Sequence, residues 1–197
     1  DRYYNNNDDW DYIVNNIKPK IIIKSEDISF HNDKRFNNLL NQFYKFYILN
    51  DIKNIIMKEE SITYDLVIKW RPDILLNKKI DFTNIQEDII YIPNESKIDI
   101  NKLNHFNDKY LCDIIAYGSN NIMNYYFNFF KNLKSLIHKY GYCQETLLYH
   151  YLQNKNYKEV SIDYSVILST CNIISISGNS GSGKTLLSNF LQKDISN

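Results

Sequence analysis

Apolar residues recur three and four apart at Phe36, Leu39, Leu40, Phe43, Phe46, Tyr47, Ile52, Ile55 and Ile56. That spacing lines one face of a helix and predicts a long amphipathic helix over residues 34–58, with Asn and Lys on its wet face. Before it, Ile21-Ile22-Ile23 within residues 20–24 reads as a short buried strand. Tyr64 to Trp70 (YDLVIKW) reads as a second strand. It stops at Arg71-Pro72-Asp73, because Pro72 has no N–H to donate and disfavours helix at Arg71. Residues 74–87 carry no period and are expected to be irregular, and Asp88 to Ile92 is a strand ended by Pro93.

Leu111 to Tyr117 (LCDIIAY) is the next expected strand, ending at Gly118-Ser119 with Ser119 placed to cap a helix. Ile122, Met123, Tyr126, Phe130, Leu133 and Ile137 mark that helix as far as Tyr140, where Gly141 closes it. A shorter helix is expected over Thr146 to Leu152, and a strand or edge segment over Val160 to Leu168. Cys171 to Ser177 is an apolar strand, and Gly183 to Asp194 a helix with Leu186, Leu187, Phe190 and Leu191 on one face. Strands alternating with helices argue an α/β fold.

Composition narrows the function classes. The 197 residues carry 23 Lys plus Arg against 23 Asp plus Glu, so there is no net field to recruit nucleic acid or an anionic membrane. Cys112, Cys143 and Cys171 are far apart and form no CxxC or Cys/His cluster with His31, His105, His138 and His150. A zinc site or disulfide framework is not expected, and a reducing, cytoplasmic setting (a host's, for a viral protein) suits the count. No segment approaches the roughly 20 apolar residues that span a bilayer. The aromatic run at Tyr125, Tyr126, Phe127, Phe129 and Phe130 reads as core.

The most specific chemical signal is Gly178-Asn179-Ser180-Gly181-Ser182-Gly183-Lys184-Thr185, which matches GxxxxGK[ST]. Glycines let the backbone curl so that successive N–H groups point inward at phosphate oxygens. A helix starting near Gly183 would add its positive N-terminal end. Lys184 suits the β- and γ-phosphates of ATP or GTP, and the Thr185 hydroxyl suits Mg²⁺. The chain has five glycines and three lie in this loop. The phrase ISISGNSGSGKTLLSNFL resembles the opening strand, loop and helix of uridine-kinase-like nucleoside kinases, and ABC-type ATPases and guanylate kinases carry a similar SGSGK core. After Thr185 only 12 residues remain, without a Walker B carboxylate, so residues 169–197 are expected to be the start of a P-loop kinase or NTPase domain.

The longer part carries softer blocks in a fixed order. They are Gln42-Phe43-Tyr44, then Tyr64 to Ile68 ending in Arg71-Pro72-Asp73, then Asp113 to Ser119 with Met123, then Gln144-Glu145-Thr146-Leu147-Leu148 with Tyr151-Leu152. Together they resemble a group of bacterial and giant-virus glycosyltransferases with a GT-A-like, Rossmann-type sheet and flanking helices. That group shows an SQFYS helix, a YDxVIRxRxD strand end, an NDxFAxGS…M strand and a PExxL…YL helix. The likeness covers residues 10–168, so residues 1–168 are expected to form a glycosyltransferase-like domain lacking the family's first strand. Two positions depart: Cys112 stands where the family has Asn, and Gln144 where it has Pro.

The resemblance implies a nucleotide-sugar donor, Mg²⁺ or Mn²⁺, and a small-molecule or glycan acceptor. Arg71 would bind phosphate, Asp73 the metal, Asp113 sugar hydroxyls, and Glu145 would be the general base. The same residue types serve plainer ends. Arg71 and Asp73 suit a surface ion pair at a Pro turn, Asp113 a strand-end cap, and Glu145 the dipole of a helix start. Two rivals stand beside the transferase: a small-molecule kinase whose chemistry lies in the P-loop, with residues 1–168 as a substrate or partner module, and a degenerate transferase-like fold used for interaction.

Overall fold

The computed structural model describes residues 27–71, 74–94, 109–166 and 174–178, with backbone alone for 166 and 174–178. The expected strand at 20–24, the helix after Gly183, Asp73 and P-loop residues 179–185 lie outside the described residues.

The long helix forms as the spacing requires: α1 runs Lys34–Glu59, and the Asp33 carboxylate caps it by accepting from the Phe36 N–H at 2.9 Å. Its polar residues depart from expectation, because Asn41, Asn50 and Lys53 are buried rather than wet. Asn41 clamps the backbone of Ile28 by accepting from its N–H (2.7 Å) and donating to its C=O (2.8 Å). One turn earlier, Asn37 accepts from the N–H groups of Phe30 and His31. One turn later, Lys45 meets Asp27 at 2.6 Å. Positions four apart thus strap residues 27–31 along the helix. Lys53 lies between the side-chain carbonyls of Asn120 and Asn124.

The strands are β1 (Leu66–Trp70), β2 (Ile74–Leu76), β3 (Ile90–Pro93), β4 (Ile115–Gly118), β5 (Tyr157–Val160), β6 (Tyr164–Val166) and β7 (Ile174–Gly178). β2 falls in a stretch expected to be irregular, β6 lies within the segment expected over 160–168, and β5 precedes that segment, meeting it only at Val160. The five-stranded sheet has the order β5-β3-β4-β1-β7. β1 is antiparallel to β4 and β7, β3 is antiparallel to β4, and β3 pairs with β5 in parallel. The fold is therefore mixed α/β with a mixed sheet. Between β1 and its neighbour β4 the described residues hold strands and loops but no helix.

The helix expected up to Tyr140 forms as two, α2 (Asn120–Phe127) and α3 (Phe129–Tyr140), broken at Asn128. Ser119 caps α2 by accepting from the Ile122 N–H, and Gly141 ends α3 at a φ of 82°, where a Cβ would be strained. α4 (Gln144–Leu152) begins two residues earlier than its apolar pattern does.

Strand alternation sorts the interior into two layers. On one face Val67, Ile90, Ile92 and Ala116 pack against all four helices, through residues such as Phe43, Phe46, Met123, Phe129, Leu133 and Leu147. On the other face Leu66, Ile68, Trp70, Ile115 and Tyr117 meet Ile74, Leu76, Phe82, Ile162 and Tyr164. Tyr91 and Tyr117 are register partners whose rings stack 5.0 Å apart. The expected aromatic run is largely core, with Tyr126, Phe127 and Phe129 buried. Among the described residues no helix is long and apolar enough to cross a membrane.

Candidate functional site

All five residues of β1 are buried, and alternation puts Lys69 on the helix-covered face beside Val67. Its side chain is 0% exposed. The ammonium lies 5.0 Å over the Phe46 ring, donates to the Ile114 carbonyl at 3.4 Å and stands 4.0 Å from Oδ2 of Asp113. A lysine at an inward strand position has to be paired, because a buried charge without a partner is costly. One step beyond the strand, the Arg71 N–H donates to the Ile114 carbonyl at 3.2 Å, and the Arg71 carbonyl accepts from the Ile74 N–H at 3.2 Å. Its guanidinium therefore leaves the backbone where β1 ends.

Asp113 lies in the segment leading into β4 rather than in a strand. Because β4 runs antiparallel to β1, with Trp70 opposite Ile115, that segment meets the same end of the sheet as Arg71. The Asp113 carboxylate is 2% exposed. Its Oδ2 accepts from Gln42 of α1 at 3.1 Å and from Gln144 of α4 at 2.8 Å. Two helices thus send hydrogen-bond donors to one carboxylate oxygen, and β1 sends it an ammonium counter-charge.

Glu145 sits in the first turn of α4, where the exposed N–H groups favour a carboxylate. A backbone bond from the Leu111 N–H to the Glu145 carbonyl, 3.1 Å, ties this turn to the chain entering β4. Burial pushes the Glu145 carboxyl above its ordinary range, and the charge of Asp113 adds to the shift. Hydrogen bonds and the Arg71 guanidinium oppose it. The Cys143 thiol lies 3.4 Å from its Oε2 and is itself pushed up by burial. Tyr164 of β6, raised to about 12 chiefly by burial, feels Cys112, Arg71 and Asp113, and its hydroxyl is 4.0 Å from the Cys112 sulfur. Behind them the Tyr126 hydroxyl is buried without a hydrogen-bond partner, and burial with the nearby Asp113 charge raises it strongly.

Arg71, Asp113 and Glu145, drawn from three separate sequence blocks, are therefore brought to one end of the sheet. Gly118 goes to the other end, since it pairs with Val67 while Trp70 pairs with Ile115. It is needed there for space: a Cβ would lie 2.8 Å from Cγ2 of Ile122 and 2.9 Å from the Ile89 carbonyl oxygen. The strand before the expected P-loop residues, β7, lies along β1 with Leu66 opposite Gly178 and Trp70 opposite Ile174. Its Gly178 end is thus opposite the Arg71 end.

A divalent metal, which the resemblance assigns to Asp73, finds no set of ligands among the described residues. No group of three or more His, Cys, Asp or Glu side chains suited to a metal occurs there. Oδ2 of Asp113 already faces two amides and an ammonium. The described residues do not by themselves fit such a centre.

Sequence reasoning missed the three partners of Asp113. Lys69 had a legible signal, a charge inside an otherwise apolar strand. Gln42 and Gln144 had none beyond their blocks, since each meets Asp113 only through tertiary contact across 71 and 31 residues respectively. No protein-family model, curated protein or solved structure matches the chain.

Proposed function

We propose that the chain carries a nucleotide-sugar-dependent glycosyltransferase domain, followed by a P-loop that binds a second nucleotide such as ATP or GTP. The observation that carries the reading is the meeting of Arg71, Asp113 and Glu145 at one end of the sheet. In this reading Arg71 binds the donor diphosphate through its forked donors. Glu145 is the general base. An acceptor hydroxyl gives it a proton, the acceptor oxygen bonds to the anomeric carbon, and the bond from that carbon to the diphosphate breaks. The nucleotide leaves beside Arg71. A carboxyl raised by burial is the stronger base for that transfer. Asp113, buried and held through Oδ2 by Gln42, Gln144 and Lys69, supports the site. Asp73 would hold a Mg²⁺ or Mn²⁺ that neutralises the donor diphosphate, and Thr185 a separate Mg²⁺ at the loop nucleotide.

The test is binding and turnover of UDP-, GDP- and CMP-sugars by the full chain with Mn²⁺. Binding that Arg71→Ala weakens, with turnover lost in Glu145→Gln, supports the reading. No sugar-nucleotide binding or hydrolysis, with no change in Asp73→Ala, ends it. The kinase reading rests on the GNSGSGKT run at the end of β7. Loss of ATP binding in Lys184→Ala, with phosphoryl transfer to a nucleoside, would favour it.

A further inference from the structure

We infer that Lys69 is a positioning residue: through Asp113 and Gln144 its buried ammonium holds the first turn of α4, and with it Glu145, against the end of β1. The chain of contacts is continuous. The ammonium is 4.0 Å from Oδ2 of Asp113, and the same oxygen accepts from Gln144 at 2.8 Å. Gln144 is the first residue of α4 and Glu145 the second. Gln42 brings α1 to the same oxygen at 3.1 Å.

The helix start is also tied by the Leu111 N–H, which donates to the Glu145 carbonyl at 3.1 Å, and by the buried Leu147 and Leu148, but its N-cap is weak. Cys143, at the N-cap, makes no side-chain capping hydrogen bond. The first four N–H groups of a helix have no intrahelical acceptor, so an uncapped start frays unless tertiary contacts hold it. Here the contact is a charge-assisted hydrogen bond in a low-dielectric setting, the stronger kind. The ammonium matters because it balances the charge of the carboxylate that Gln144 grips. Without it, Asp113 would be buried with amide donors only, and the geometry around Oδ2 would relax.

The positioning stands on geometry alone; its consequence for catalysis rests on the glycosyltransferase reading. The two can fail separately. Hydrogen exchange of the full chain, read by mass spectrometry or NMR at Leu147 to Tyr149, reports on the first α4 amides with intrahelical acceptors, starting with the 2.9 Å bond from Leu147 to the Cys143 carbonyl. Gln144→Ala is expected to speed exchange there about tenfold or more, with α3 and β3 unchanged, because local opening is read separately from global unfolding. Lys69→Met is expected to add the same local loss to a general destabilisation. Unchanged α4 exchange in Gln144→Ala, or equal loss across α3, β3 and α4, would overturn the inference, and it remains testable if Lys69→Met does not fold. Given turnover, kcat falls in Gln144→Ala while donor KM holds. Selective α4 loss in a chain that turns over no sugar nucleotide would sink the transferase reading and leave the positioning intact.

Discussion

Consider removal of the Lys69 charge by Lys69→Met, a change that keeps much of the side-chain volume. At the observed 4.0 Å, opposite unit charges attract by about 4 kcal/mol at an effective dielectric constant of about 20. Desolvating each ion costs several kcal/mol, so the pair as a whole contributes little to net stability. Breaking it is another matter. Asp113 would stay 2% exposed with its charge unbalanced, and loss of one partner of such a pair costs about 3–5 kcal/mol. A domain of this size holds only about 5–15 kcal/mol in all. Asp113→Asn strands the ammonium in the same way but leaves a side-chain carbonyl to accept from one of the two glutamines. The double variant Lys69→Met/Asp113→Asn removes both charges and is expected to be more stable than Lys69→Met alone. The assay is urea unfolding followed through tryptophan fluorescence, since Trp70 is buried next to Lys69 in β1. Midpoint and slope give each free energy, and the four proteins close a double-mutant cycle. Additive losses, agreeing within about 0.5 kcal/mol, would refute the buried pair, because groups that do not interact add.

Other consequences are as open to measurement. Gly118→Ala should destabilise by about 1–3 kcal/mol in the same urea experiment, since its Cβ meets a backbone oxygen that cannot step aside. Donor binding should persist in the folded fraction of that variant, because Gly118 is at the far end of the sheet from Arg71. Glu145→Gln should raise the melting temperature relative to the native chain at neutral pH. A carboxyl raised in the folded state binds its proton more tightly there, so native stability falls as pH rises from about 4.3 through the folded value, while the glutamine variant escapes that fall. Thermal melts across that range check the sign, and a gap independent of pH would contradict it. Lys53, lowered by burial from 10.5 to about 8, carries the opposite slope: the folded state releases its proton first, so stability should climb between about pH 8 and 10.5 in the native chain and not in Lys53→Gln. Lys184→Ala should abolish nucleotide binding at the loop and leave sugar-nucleotide binding untouched, a split that isothermal titration would read directly; loss of both would show the two sites to be one.

Local rules carried much of the architecture. The period of α1, the Ser119 cap and the Gly141 stop are all legible from a few neighbouring residues, because each depends on one turn of backbone or one unsatisfied N–H. The expected P-loop is a reading of the same local kind, its glycines and Lys184 falling within eight consecutive positions, and it lies outside the described residues beyond Gly178. Even the candidates Arg71, Asp113 and Glu145 were visible singly, as charged residues at element ends.

The sequence could not decide which of these residues meet. The antiparallel pairing of β1 with β4 sends Asp113 toward Arg71 and Gly118 away from it, and no local pattern encodes strand direction. The fate of polar residues on α1 was likewise tertiary. Asn41 and Lys53 look solvated on a helical wheel, yet one clamps the preceding segment and the other is closed in by α2. Lys69 shows the limit most clearly. Its burial could be guessed from the apolar residues beside it, but its partner could not, because a charge is tolerated in a core only when distant segments bring a counter-charge to it, and those segments are set by packing rather than by sequence spacing.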